Sequence, residues 1–202
     1  MNTERPARFY HIVFRKAKSS LSFDMERDFE KWTETLESLS KREGMAVHCF
    51  CMMPDHYQLL LEIDGNNLSG VLRKLRSSRN GNRNGQEKGT ANVKRGRHKV
   101  FPVFGLLHLI EISRQIHLSP VREELTCEPA RYPWSSYSAF LEGEGKWNWL
   151  RRNTILDQFS SDEIKARERY RNFTWQQVRK FYLATGEEKI SFLAIPGERG
   201  RG

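Results

Sequence analysis

Met53-Pro54-Asp55-His56-Tyr57-Gln58-Leu59-Leu60-Leu61-Glu62 reads as a tight turn running into an apolar strand. Pro54-Asp55 is turn chemistry, and the run before it, residues 45 to 53, is apolar enough to be the other strand of a hairpin. Side chains alternate across a strand, so His56, Gln58, Leu60 and Glu62 share one face while Tyr57, Leu59, Leu61 and Ile63 share the other. The second face reads as core. The first is mostly polar where a strand buried on both sides would carry Val or Ile, a pattern by which a sheet presents metal ligands or nucleic-acid contacts to a groove.

Outward from this hairpin the chain alternates strand and helix patterns. Residues 7 to 15 are rich in aromatic and β-branched side chains and predict a first strand. From Asp24 to about Ser40, Phe29, Trp32, Leu36 and Leu39 recur at helical spacing, with Gly44 at the exit. Beyond the hairpin, Leu68, Val71, Leu72 and Leu75 make a second, shorter helical stripe. Residues 80 to 95 are glycine-bearing and polar, and predict a mobile loop. A strand over 97 to 103 and a helix from about Gly105 to Leu118, stopped by Pro120, come next. On that helix His108, Glu111 and Gln115 share one polar face, with Leu106, Leu109, Ile112 and Ile116 towards the core. Trp134 to Leu141 predicts a short helix, Gly143, Gly145 and Trp147-Asn148-Trp149 a boundary, and residues 151 to 184 small helices. This order predicts an α+β fold, a mostly antiparallel sheet packed with helices. It divides into a core over 1–145 and a C-terminal helical extension and tail over 146–202.

Charge is unevenly placed. Between Arg73 and Lys99 stand ten basic residues, Arg73, Lys74, Arg76, Arg79, Arg83, Lys88, Lys94, Arg95, Arg97 and Lys99, against Glu87 alone. That local excess equals the net charge of +9 carried by all 202 residues. A localised basic block is the electrostatic footprint of a phosphate-backbone partner. The three cysteines give no disulfide framework; Cys49 and Cys51, neighbours on one strand face, read as buried thiols. No stretch has signal-peptide or membrane-span character, so the expectation is a cytoplasmic protein with no membrane partner.

The stretch MPDHYQLLLE resembles the signature of the REP-associated tyrosine transposases, a branch of the single-tyrosine HUH family whose motif usually reads MPNHYHLL. Gly96-Arg97-His98-Lys99 is similar to the family's GRYK, and Ile112 to Arg122, ISRQIHLSPVR, aligns without a gap to its LSRYIHLNPVR. Trp134-Ser135-Ser136-Tyr137 and Ala166-Arg167-Glu168-Arg169-Tyr170-Arg171 also look like family segments, so the resemblance covers roughly residues 5 to 175.

The resemblance implies a ferredoxin-like HUH core. It also implies two histidines flanking one residue that bind Mg²⁺ or Mn²⁺, and a tyrosine that attacks hairpin or single-stranded DNA to form a phosphotyrosine bond. This chain departs from the pattern at the chemistry. His56 matches the first histidine, but Gln58 stands for the second, Gln115 for the tyrosine, and Ser119 for an asparagine expected to contact the metal. An amide oxygen can ligate a hard cation weakly, which leaves Gln58 a degenerate ligand. An amide cannot form the covalent intermediate. Tyr57 points to the wrong strand face to substitute, Tyr10 reads as a strand aromatic, and His48 and His117 as structural hydrogen-bonding residues.

The expectation is therefore a transposase-like DNA-binding protein with cleavage and strand transfer lost or impaired. It binds through Arg73, Lys74, Arg76, Arg79, Arg83, Arg97 and Lys99. The alternatives are an active transposase with an offset nucleophile, a metal-dependent nuclease built on His56, Gln58 and Glu62, and a non-catalytic partner of an intact transposase; the associations expected are a homodimer or a complex with an intact transposase.

Overall fold

A computed structural model describes residues 8–15, 25–42, 44–63, 67–80, 97–143, 145 and 147–185. Pro54-Asp55 reverses the chain as expected, with the Met53 amide donating to the His56 carbonyl at 2.7 Å. The strands on either side, β2 (Met45–Met52) and β3 (His56–Ile63), pair antiparallel from Met52 opposite Tyr57 to Met45 opposite Ile63. His48 is the extra residue at a register shift between Val47 and Cys49. Strand β1 (Arg8–Arg15) pairs with β3 on one side and β4 (Arg97–Val103) on the other, both antiparallel. The sheet order is β2-β3-β1-β4. With α1 (Met25–Arg42) after β1 and α2 (Leu68–Asn80) after β3, the chain has the ferredoxin-like order of two split β-α-β units.

Both helices cover one sheet face. Phe29, Trp32, Leu36 and Leu39 of α1 and Val71 and Leu75 of α2 pack on Ile12, Phe14, Tyr57, Leu59, Leu61 and Phe50. Trp32 meets Phe50 edge-on, ring centroids 5.4 Å apart. Side chains of this size contribute roughly 1.5–3 kcal/mol each when fully buried.

The other face is also core over its β2–β3 half, which corrects the reading of the His56 face as a mostly polar one open to a groove. Leu60, Cys49 and Cys51 are completely buried there against α3 (Gly105–His117), α5 (Tyr137–Glu142), α6 (Asn153–Leu156) and α7 (Glu163–Thr185). Leu109, Ile112 and Ile116 of α3 supply the contact as expected, whereas Leu106 is 46% exposed. Pro120 does not simply stop α3. After Leu118 a new turn, α4 (Ser119–Arg122), begins with proline in its first two positions, where a missing N–H costs nothing. Beyond α6, in place of the small helices expected, α7 is one helix of 23 residues. Its buried positions recur every fourth residue, Ala166, Tyr170, Thr174 and Val178.

Segments from both sides of the expected 145/146 boundary share these cores. Trp147 packs on Phe29 and Phe50, the Arg151 amide donates to the Val47 carbonyl at 2.9 Å, and residues 134–136 pair along the same outer edge of β2. Of the loop expected over 80–95, Asn80 is the last residue of α2 and the rest lies outside the described residues.

Candidate metal and nucleic-acid site

The hairpin turn delivers His56 and Asp55 together. His56 is 3% exposed at the start of β3, and its Nδ1–H donates to Asp55 Oδ1 at 2.6 Å. That bond turns Nε2 inward, where it accepts from the Gln58 amide at 3.3 Å and faces Glu123 Oε1 at 3.5 Å. Glu123 arrives from the far end of α4. Ser119 and Glu123 are four residues apart around this turn, so both reach the same strand.

Gln58 is held by all its polar atoms. Its Nε2 donates to Ser119 Oγ at 2.7 Å, and its Oε1 accepts from His11 Nε2 at 3.0 Å. Ser119 in turn donates its hydroxyl proton to the Gln115 carbonyl at 3.0 Å. Because that proton is used, the Ser119 oxygen must accept, which fixes the Gln58 NH₂ there and points the Gln58 oxygen away to His11. Gln58 therefore turns its oxygen to His11 and its NH₂ towards His56, and Ser119 is a satisfied hydroxyl.

The groups that could hold an ion are different ones. Asp55, His56 and Glu123 each place a ligand atom within 4.8 Å of the other two. Two carboxylates and one imidazole suit Mg²⁺ or Mn²⁺. The approach of a nitrogen lone pair to a carboxylate oxygen at 3.5 Å is one that a positive charge between them stabilises. Burial alone would push the Asp55 carboxyl up, but the hydrogen bond and charge of His56, with the charge of Arg15, together leave it below the usual range. At His11, burial is the main influence and holds the imidazole below its ordinary value, opposed by the Gln58 hydrogen bond and reinforced by His108.

Glu62 stands apart from this site. Six residues along β3 from His56, about 20 Å in an extended strand, it pairs with His48 Nε2 and Arg151, both at 3.1 Å. The His48 hydrogen bond lowers its carboxyl, against burial. A cation site of His56, Gln58 and Glu62 is thus excluded by the strand's length. His48 and His117 are structural as expected. His48 also bonds the Arg151 carbonyl at 2.8 Å, and buried His117 joins the hydroxyls of Tyr170 at 2.7 Å and Ser136 at 2.9 Å.

Gln115 lies exposed on α3, one turn before Ser119. The tyrosines Tyr57, Tyr132 and Tyr170 are committed elsewhere. Tyr57 bonds His98 at 2.7 Å within the first core, and Tyr132 donates to the Met52 carbonyl at 2.8 Å. Tyr170 bonds Ser113 as well as His117. Burial pushes the phenols of Tyr132 and Tyr170 up, and that of Tyr137 with them, away from the ionised form a nucleophile needs.

The basic block divides between layers. Lys99 is exposed on the face of His56 and Gln58, and the backbone of Arg97 pairs opposite Arg15. Arg73 and Lys74 ride on α2, which covers the opposite face. Only the backbone positions of Arg76, Arg79 and Arg97 are described, and Arg83 lies outside the described residues.

Asp55, His11, Arg15 and Glu123 escaped the sequence reading as site residues. Asp55 had a signal, a carboxylate adjacent to the histidine in the turn. Glu123 had one only as the fourth residue after Ser119 across a proline-started turn.

No family model matches this chain, and no curated protein matches it. A solved structure of a REP-associated tyrosine transposase bound to a REP hairpin shares its fold, with a TM-score of 0.54 over 71% of this chain and 87% of that one. Identity is 10%, so the likeness is one of fold.

Proposed function

We propose that this chain is a transposase-like protein that binds hairpin or single-stranded DNA across the His56 end of its sheet and has lost cleavage and strand transfer. The observation that carries this reading is the meeting of His56, Gln58 and Ser119, positions up to 63 residues apart, in one hydrogen-bonded cluster beside Gln115. Gln58, Ser119 and Gln115 are the positions at which the sequence departs from the tyrosine transposase pattern, and they gather around the one matching residue, His56. Exposed Arg15 and Lys99 flank the cluster on the same sheet face and supply phosphate contacts. The shared fold with a transposase bound to a REP hairpin supports hairpin DNA as the ligand class.

Asp55, His56 and Glu123 would hold Mg²⁺ or Mn²⁺, and a bound ion would supply Lewis-acid polarisation of a phosphate oxygen. Asp55 serves by orienting His56 or by ligating the ion itself, since its Oδ1 cannot do both. The exposed amide of Gln115 then contributes a hydrogen bond to DNA and no covalent bond.

A second reading, a metal-dependent nuclease acting through water, is favoured by the Asp55–His56–Glu123 cluster alone. One experiment separates the two. The protein is incubated with labelled DNA hairpins and Mn²⁺ and resolved on native and denaturing gels. A native shift with uncut DNA and no protein-bound label after denaturation is the expected result. Cut DNA without an adduct would establish the nuclease, and a denaturation-resistant adduct would reveal a surviving nucleophile and overturn the proposal.

A further inference from the structure

The His56 face of the sheet is roofed over β2 and β3 by α3, α5, α6 and α7, but its β1–β4 half carries side chains in contact with solvent. Register places His11 opposite Phe101 and Val13 opposite Lys99 on this face, with Arg15 two residues further along β1. Phe101 is 48% exposed, and Arg15 and Lys99 are exposed beside it. His11 packs its ring against Phe101, centroids 5.9 Å apart and planes tilted by 36°. Along one side runs the polar face of α3 with His108, whose charge His11 feels, and Gln115. His11 also touches Gln58, so the strip is continuous with the His56 cluster.

An aromatic ring held open on a sheet face among cations is an unfavourable surface for water and a favourable one for a nucleobase. The ring stacks on any base, and the cations take the flanking phosphates. Two residues along a strand separate Phe101 from Lys99 on one face, about 7 Å. No acidic residue occupies positions 11, 13, 15, 99 and 101, and Arg15 and Lys99 make the strip positive beside the exposed ring. Strand addition by another protein is disfavoured by Pro102 within β4, a residue that blunts sheet edges.

We infer that Phe101, backed by His11, is a stacking platform for an unpaired nucleotide, and that Lys99 and Arg15 guide the single-stranded flank of a DNA hairpin towards His56. This rests on the proposed DNA binding and adds to it a preference for unpaired flanks.

The test uses the full chain and two DNA hairpins of the same stem. One carries a single-stranded flank containing the fluorescent base aminopurine, and the other is trimmed blunt. The wild-type chain is expected to bind the flanked hairpin more tightly and to quench the aminopurine. Phe101→Ala is expected to weaken flanked-hairpin binding by roughly five- to a hundredfold, the span for losing one base–aromatic stack, and to abolish the quench. Blunt-hairpin affinity should stay unchanged, and Phe101→Trp should restore both signals. If Phe101→Ala leaves flanked binding and quench intact while the wild type binds DNA, the platform is refuted and DNA binding stands. If the wild type binds neither hairpin, the proposed function fails and the platform with it. A wild-type dimer that Phe101→Ala converts to monomer without altering the quench would assign the strip to a second copy of the chain and overturn the inference.

Discussion

Replacing Arg15 and Lys99 by glutamine removes two exposed cations from the sheet face that carries His56 and Gln58, and leaves both cores untouched. Each cation that neutralises a phosphate releases counterions. For single strands the slope of log affinity against log salt steepens by about 0.7 per contact. Two lost contacts should therefore flatten the slope by about 1.4. Across a fourfold rise in salt the wild-type chain should lose about sevenfold more affinity than the double variant. Fluorescence anisotropy of a labelled hairpin with a single-stranded flank, titrated at several potassium chloride concentrations, measures both slopes. Parallel slopes with equal affinity at low salt would place the DNA away from this face and refute the argument. Arg73→Gln is the matched control. It lies on α2 across the sheet, and it should change the slope less than either substitution on the His56 face.

The same geometry sets three further outcomes. Burial holds the His117 imidazole down at about 3 against an ordinary 6.5, so below pH 6.5 the unfolded chain takes up a proton that the folded chain refuses. Stability should fall on acidification through that window, by about 2 kcal/mol between pH 7 and pH 5 from this one group. Urea unfolding of the chain and of His117→Gln at both pH values would show the excess slope vanish in the variant. Asp55→Asn, which removes the carboxylate orienting His56, should weaken Mn²⁺ binding by about ten- to a hundredfold. Calorimetric titration reads it, and a wild-type chain that takes up no Mn²⁺ would sink the cation site. Gln58→His should destabilise the fold by about 1–3 kcal/mol by stranding partly buried partners. An unchanged urea midpoint would mean that the network around Gln58 is loosely held.

How much of this was legible in the sequence depended on distance along the chain. The hairpin was readable because Pro54 and Asp55 announce a turn and the flanking apolar runs are local. The same holds for α1, whose Phe29, Trp32, Leu36 and Leu39 mark one buried face. Leu60 was not readable as core. Its face is closed by α3, α5, α6 and α7, which begin more than 40 residues later, and alternation within β3 cannot say whether a helix will arrive. Long helix α7 was hidden by its charge; only Ala166, Tyr170, Thr174 and Val178 keep the fourth-residue rhythm. Glu123 depended on Pro120 starting a turn where a stop was expected. Proline ends one helix and opens the next by the same property, a fixed φ without an amide proton, and the residues on its C-terminal side decide which role it plays.

Gln58 and residue 115 meet through Ser119, but only the backbone of residue 115 takes part. Ser119 gives its proton to the carbonyl of residue 115, whatever side chain that residue bears, and so demands a donor from residue 58. Glutamine supplies that donor and, with its other end, an acceptor for His11. A neutral imidazole at 58 has one N–H and one lone pair on a rigid ring, and it cannot span the same two partners and also turn a free nitrogen to a metal shared with His56. Recovering a two-histidine centre therefore requires residues 11, 58 and 119 to change together. The Asp55–His56–Glu123 group shares only the Gln58–His56 contact with that network, the longest bond in it at 3.3 Å. A cation held through His56 Nε2 would displace this bond, and ligation by Asp55 Oδ1 would displace the Asp55–His56 bond as well.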